Sequence, residues 1–151
     1  STVAFMLDKL NPKKGNHILD IGSGSGWTTA LLAHITGPTG QVIGLERIPE
    51  LVNYGKENLK KYPKLQNVHF EQTQKGIGKK GHSFDRILVS AAATIYPKEL
   101  TSQLNPNGII LIPIQNSIHI IKKIGASEIE ETKIEGFIFV PLIYESHSLT
   151  L

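Results

Sequence analysis

Gly22, Gly24 and Gly26 occupy every second position of "ILDIGSGSGW", between an apolar run and an amphipathic one. Main chain without Cβ atoms turns tightly and lets a ligand come close to its amides. Glu46 follows about 20 residues later, at the end of the apolar stretch "QVIGLE". When a glycine loop and such an acid terminate neighbouring parallel strands, the carboxylate accepts both hydroxyls of a ribose. An adenosine-containing ligand fits both features. A tight strand-to-helix turn would explain the glycines alone.

The details of the loop separate the adenosine ligands. A dinucleotide fingerprint reads G-x-G-x-x-G, its third glycine allowing helix and strand to pack closely around a pyrophosphate. Counted from Gly22 that third position is Trp27, and counted from Gly24 it is Thr29. Neither frame fits, and no Gly-Lys-Ser/Thr follows to make a P-loop. Asp20, just before the loop, would repel a diphosphate but would orient a methionine ammonium or the amides that receive it. Bracing or capping the loop is the other reading of that aspartate.

Other chemistry is sparse. His17, His34, His69, His82, His119 and His147 show no H-E-x-x-H or paired ligand spacing, so no metal site is expected. The chain has no cysteine, which excludes thiol nucleophiles and thiolate metal sites and fits a reducing, cytoplasmic location. No serine stands in G-x-S-x-G, and Asp85, at a strand start, reads as structural. Tyr54, Tyr62, Tyr96 and Tyr144 are too separated to stack bases, and the net charge of +3 comes from dispersed lysines such as Lys60/Lys61, Lys79/Lys80 and Lys122/Lys123. No nucleic-acid partner is expected. No membrane partner is expected either: "VAFML" stops at Asp8, and no apolar run approaches the roughly 20 residues of a span.

The elements that must position these residues alternate. With 151 residues, 40% hydrophobic and 19% charged, the chain suits one globular domain. A short helix is expected over Thr2 to Leu10, then a strand from His17 to Ile21, a helix from about Gly26 to Thr36 stopped by Gly37 and Pro38, and a strand from Gln41 to Glu46. Pro49 suits the first position of a helix reaching Tyr62, with Leu51, Val52, Leu59 and Tyr62 inward and Glu57 paired to Lys61 outside. "NVHFEQ", "FDRILVS" and "GIILIPI" read as further strands, with a short helix opened by Pro97 and ended before "LNPNG". "SIHIIKKI" and "EIEETKIEGFIFVPLI" form a hairpin about Gly125 to Ser127. The expected fold is α/β: a Rossmann-like, doubly wound, mostly parallel sheet with a C-terminal antiparallel edge hairpin.

"LDIGSGSGW" resembles the first motif of class I S-adenosylmethionine-dependent methyltransferases, and "GQVIGLERIPEL" resembles their acidic second-strand motif. Together with "FDRILVSAAA", "LNPNGIILIPI" and "FVPL", the order and spacing resemble protein-L-isoaspartate O-methyltransferases from about Val3 to Leu142. The resemblance implies S-adenosyl-L-methionine as methyl donor. Asp20, Gly22, Ser23, Gly24 and Gly26 would contact its methionine part and Glu46 its ribose, with Arg47 beside Glu46 in the same site. It implies a peptide or protein acceptor containing isoaspartate, with Ser90, Ala91, Ala92 and Ala93 lining the reacting centre; a plain tight strand end is the other reading of "SAAA".

Two departures stand out. The family's Thr-Ile-Ser-x-Pro-like stretch, whose serine is often assigned to the active site, has no counterpart, so the chain reads as one methyltransferase domain over residues 1–151 without that N-terminal segment. No catalytic residue is assigned. The family's Gly-Asp-Gly after the third strand is here "QTQKG", with Gln74 nearest the adenine-reading aspartate. An amide oxygen accepts the same hydrogen bond without charge assistance. An isoaspartyl carboxylate is already an anion at neutral pH, so alignment and water exclusion can carry the transfer, worth up to roughly 7–11 kcal/mol. RNA or small-molecule acceptors, or an inactive donor-binding module, remain open alternatives. The oligomeric state is not readable.

Overall fold

The computed structural model describes residues 1–73, 75–138 and 142–143. Helix α1 (Thr2–Leu10) begins where Ser1 Oγ accepts the Ala4 amide at 3.3 Å, and it ends at Asn11 in the left-handed conformation. Strand β1 (His17–Ile21), helix α2 (Trp27–Thr36), strand β2 (Gln41–Glu46), helix α3 (Pro49–Leu59) and strand β3 (Val68–Gln72) follow. Strand β4 (Phe84–Val89), a 3-10 helix (Lys98–Gln103) and strands β5 (Leu104–Ile114), β6 (Ser117–Lys123) and β7 (Ile129–Glu135) complete the order.

The strands form one sheet in the order β3-β2-β1-β4-β5-β6-β7. Pairing is parallel from β3 through β5 and antiparallel from β5 through β7. The sheet is the expected doubly wound one with an antiparallel edge. Alternation along the strands separates two cores. Ile18, Leu88 and Leu111 face α1, α2 and α3, where they meet Met6, Leu10, Leu32 and Val52. Their neighbours Leu19, Ile87, Val89, Ile110 and Ile112 face the other side, against Ile77, Leu100 and Leu104. Both faces of the central strands are therefore covered, which is why "GIILIPI" is continuously apolar.

Four local expectations change. Helix α3 stops at Leu59, and the amides of Lys60, Lys61 and Tyr62 bond back three residues, to Glu57, Asn58 and Leu59. Pro63 disfavours a helical Tyr62, so the last turn tightens. Lys61 thus leaves the helical register: Glu57 pairs instead with Lys60 at 2.8 Å, Lys61 reaches Asn58, and Tyr62 is 47% exposed rather than inward. Strand β5 also begins earlier than expected, at Leu104, with "NPNG" carried as an irregularity where the β4 register shifts between Phe84 and Arg86.

Candidate functional site

The C-terminal ends of β1, β2 and β4 meet at one edge of the sheet, and the glycine loop runs between the first two. Its Gly22 and Ser23 amides both donate to the Leu45 carbonyl, at 2.8 and 3.0 Å, so the loop prolongs the β1 to β2 contact past the last ladder pair. Glu46 ends β2 and is 8% exposed. Its Oε2 accepts the Gly24 amide at 2.9 Å, and its Oε1 accepts the amides of Arg47 at 2.9 Å and Ile48 at 3.2 Å. A carboxylate offers about four acceptor positions, so capacity remains on the side that opens to solvent.

The glycines differ in what they provide. Gly26 is the N-cap of α2 with φ +85°, and a Cβ there would stand 2.7 Å from Phe70 Cζ and 3.3 Å from Gly55 Cα. Its lack of a side chain serves packing. Gly24 has φ +54° with nothing within 4 Å of a Cβ, so its side faces open space. No side chain caps the first turn of α2. Amides in that position attract an anion through their partial positive charge.

A cleft of about 270 Å³ opens beside these residues, lined by Gly22, Glu46 and Arg47 and closed by Ser90 and Ala91 after β4. Gly76, Ile77 and Gly78 supply another wall, and Leu142 and Ile143 reach it from the chain's end. The Leu142 amide donates to the Ala92 carbonyl at 2.5 Å. Of the residues singled out in the sequence, Gly22, Glu46, Arg47, Ser90 and Ala91 thus share one cavity. Ala93 does not: it is 6% exposed, packs in the core and bridges to Ile114. Ser23 is buried against the sheet, and its Oγ has no hydrogen-bond partner among the described residues. Gln74 lies outside the described residues, as do Phe139, Val140 and Pro141 of "FVPL" and the positions of Tyr144 and His147.

Asp20 sits behind this cleft. It is fully buried, accepting Thr29 Oγ1 at 2.7 Å and facing Ser90 Oγ at 3.5 Å. Both partners are hydroxyls, and among the described residues no loop amide reaches it. Burial pushes its carboxyl up to about 6, against the Thr29 and Ser90 hydrogen bonds that favour the ionised form. Asp20 therefore joins the end of β1 to the first turn of α2, with Ser90 between it and the cleft. Asp85 lies at the opposite end of the sheet, accepting the His17 amide at 2.8 Å and Asn105 Nδ2 at 3.0 Å. Thr29 had no sequence signal, and Thr73 and the 76–78 segment were marked only by the "QTQKG" departure and the glycines of "GIG". Among the described residues no three His, Asp or Glu side chains gather as metal ligands, and no helix is long and apolar enough to cross a membrane.

Residues 1–147 match the family model described as protein-L-isoaspartate (D-aspartate) O-methyltransferase. The chain is 38% identical over 151 residues to the protein-L-isoaspartate O-methyltransferase of Methanopyrus kandleri, an alignment covering 95% of this chain and 66% of that protein. For the Aeropyrum pernix protein of the same name the identity is 40% over 149 residues, covering 95% and 57%. The chain thus spans about six tenths of the length of these relatives. The Plasmodium falciparum β-aspartate methyltransferase, solved in complex with S-adenosyl-L-homocysteine, superposes with a TM-score of 0.82 at 32% identity, over 94% of this chain and 73% of that one.

Proposed function

Because the chain belongs to the protein-L-isoaspartate O-methyltransferase family, we propose that its cleft binds S-adenosyl-L-methionine and serves methyl transfer to the free carboxylate of L-isoaspartyl residues in proteins. The observation that carries this reading is the Gly24 to Glu46 hydrogen bond at 2.9 Å, which sets an open glycine loop and a ribose-accepting carboxylate on one side of one cavity. The residues fit the donor. Glu46 has acceptor capacity left for a hydroxyl, Gly24 leaves room for close approach, and the uncapped first turn of α2 suits a carboxylate. Asp20, working through Ser90, favours an ammonium nearby.

Bound, the donor would supply a methyl group already activated on a sulfonium. The chain's own task is then to hold the acceptor oxygen in line and exclude water. Neither requires a strong base, because the acceptor carboxylate is ionised at neutral pH. Ser90 and Ala91, small and at the end of β4, leave space for a peptide backbone beside the cleft. We read residues 1–151 as one methyltransferase domain, and a cytoplasmic location suits a cysteine-free chain with damaged proteins as partners.

Paired peptides differing only in isoaspartate or aspartate at one position test the reading, with methyl esters trapped at mildly acidic pH before they cyclise. Methylation confined to the isoaspartyl peptide is expected. Binding of S-adenosylhomocysteine together with methylation of RNA or a small molecule instead would overturn the acceptor and keep the donor.

A further inference from the structure

Gln103 closes the 3-10 helix and is 2% exposed. A buried primary amide must place both a donor and an acceptor. This one places them on a segment more than twenty residues earlier. Its Nε2 donates to the Ile77 carbonyl at 3.0 Å, and its Oε1 accepts the Lys79 amide at 2.8 Å. The carboxamide therefore bridges Gly78, which lies flat over it: a Cβ on Gly78 would stand 2.1 Å from Oε1 and 2.9 Å from Nε2.

The bridged residues matter because Gly76, Ile77 and Gly78 wall the cleft, while residues 75–83 contain no helix or strand to hold them. Among the described residues the segment is also held by the Ile77 side chain in the core, the Thr73 amide on the Glu46 carbonyl at 2.9 Å, and the ion pair of Lys79 with Glu71 at 2.6 Å. The latter is partly exposed, and such pairs contribute about 0–1 kcal/mol. Gln103 itself is held from behind: Lys123 Nζ donates to the carbonyls of Leu104 at 3.1 Å and Thr101 at 3.4 Å.

We infer that Gln103 is a positioning residue for the donor cleft, its carboxamide holding the 76–79 turn in the shape that completes the wall although it does not line the cavity itself. The inference rests on the donor-site reading above. It separates two kinds of substitution. Gln103→Met keeps the volume but leaves the Ile77 carbonyl and Lys79 amide unpaired. Gln103→Glu keeps the acceptor for Lys79, and only its protonated carboxyl can also donate to Ile77. Lys79, Glu71 and Lys123 are the charged groups around it.

S-adenosylhomocysteine binding is measured by calorimetry from pH 5.5 to pH 8 for the unsubstituted protein and both variants. Gln103→Met should weaken binding on the order of tenfold at every pH, because the turn loses both of its hydrogen bonds to the carboxamide. Gln103→Glu should match that loss at pH 8 and recover towards the unsubstituted protein's value as pH falls. If Gln103→Met does not fold, the recovery of Gln103→Glu decides. Equal affinity of folded variants and unsubstituted protein at all pH values overturns the inference. Failure of the unsubstituted protein to bind the ligand overturns the donor-site reading and this inference with it, and that protein alone reveals it.

Discussion

The Gly24 amide and the Glu46 carboxylate, 22 residues apart in the chain, are joined by a 2.9 Å hydrogen bond that ties the tip of the glycine loop to the end of β2. The same carboxylate gathers the amides of Arg47 and Ile48, so it shapes two backbone segments besides facing the cleft. One side chain organises both the glycine loop and part of the cleft wall. Its removal should be felt in ligand affinity before it is felt in the fold.

Glu46→Ala is expected to weaken S-adenosylhomocysteine binding by about 1.5–3 kcal/mol, the range for hydrogen bonds to a charged group. Calorimetry on the folded variant measures this. An unchanged dissociation constant would remove Glu46 from the donor site.

Gly24 and Gly26 should fail differently. Gly24→Val meets open space and costs only the left-handed strain of roughly 1–2 kcal/mol, yet it should abolish ligand binding. Gly26→Ala drives a methyl into Phe70 and the Gly55 backbone, so its main loss should be in melting temperature. Thermal denaturation alongside binding separates the two; a Gly24→Val protein with normal affinity would contradict the site.

Asp20 couples stability to pH. Its folded-state value of about 6 lies above the ordinary carboxylate value of 3.8, so the folded chain holds the extra proton between these values. Stability then falls as pH rises from about 4 to about 6, and the loss is complete above that window. At roughly 1.4 kcal/mol per unit the full effect is at most about 3 kcal/mol. Asp20→Asn should therefore raise the melting temperature at pH 8 and flatten its pH dependence, while weakening ligand binding. A variant less stable than the parent at pH 8 would contradict burial as the dominant cause.

Asp85→Ala provides the opposite contrast. It removes acceptors for the His17 amide and Asn105 at the far end of the sheet. A loss of about 1 kcal/mol of stability with unaltered S-adenosylhomocysteine affinity is expected. Loss of affinity would bring Asp85 into the site.

The alternation of apolar runs and helical patterns determined the element order on its own, because the central strands are covered on both faces and the helices are bounded by local signals such as Pro49 at a start and Gly37 at an end. The doubly wound, mostly parallel sheet with its antiparallel edge hairpin followed from those connections, whereas the strand order came from the structure. The glycine loop and Glu46 were legible for the same reason: they end neighbouring strands in register, Ile21 beside Leu45, so sequence separation maps directly onto space. What the sequence alone could not decide depends on contacts between distant segments. Asp20 turns to Thr29 and Ser90 because it is buried behind the loop, and "SAAA" divides between cleft and core because Ala93 bridges to β5. Gln103 carries no local pattern, since the carbonyl and amide it satisfies belong to a turn that only the packed sheet brings beside it.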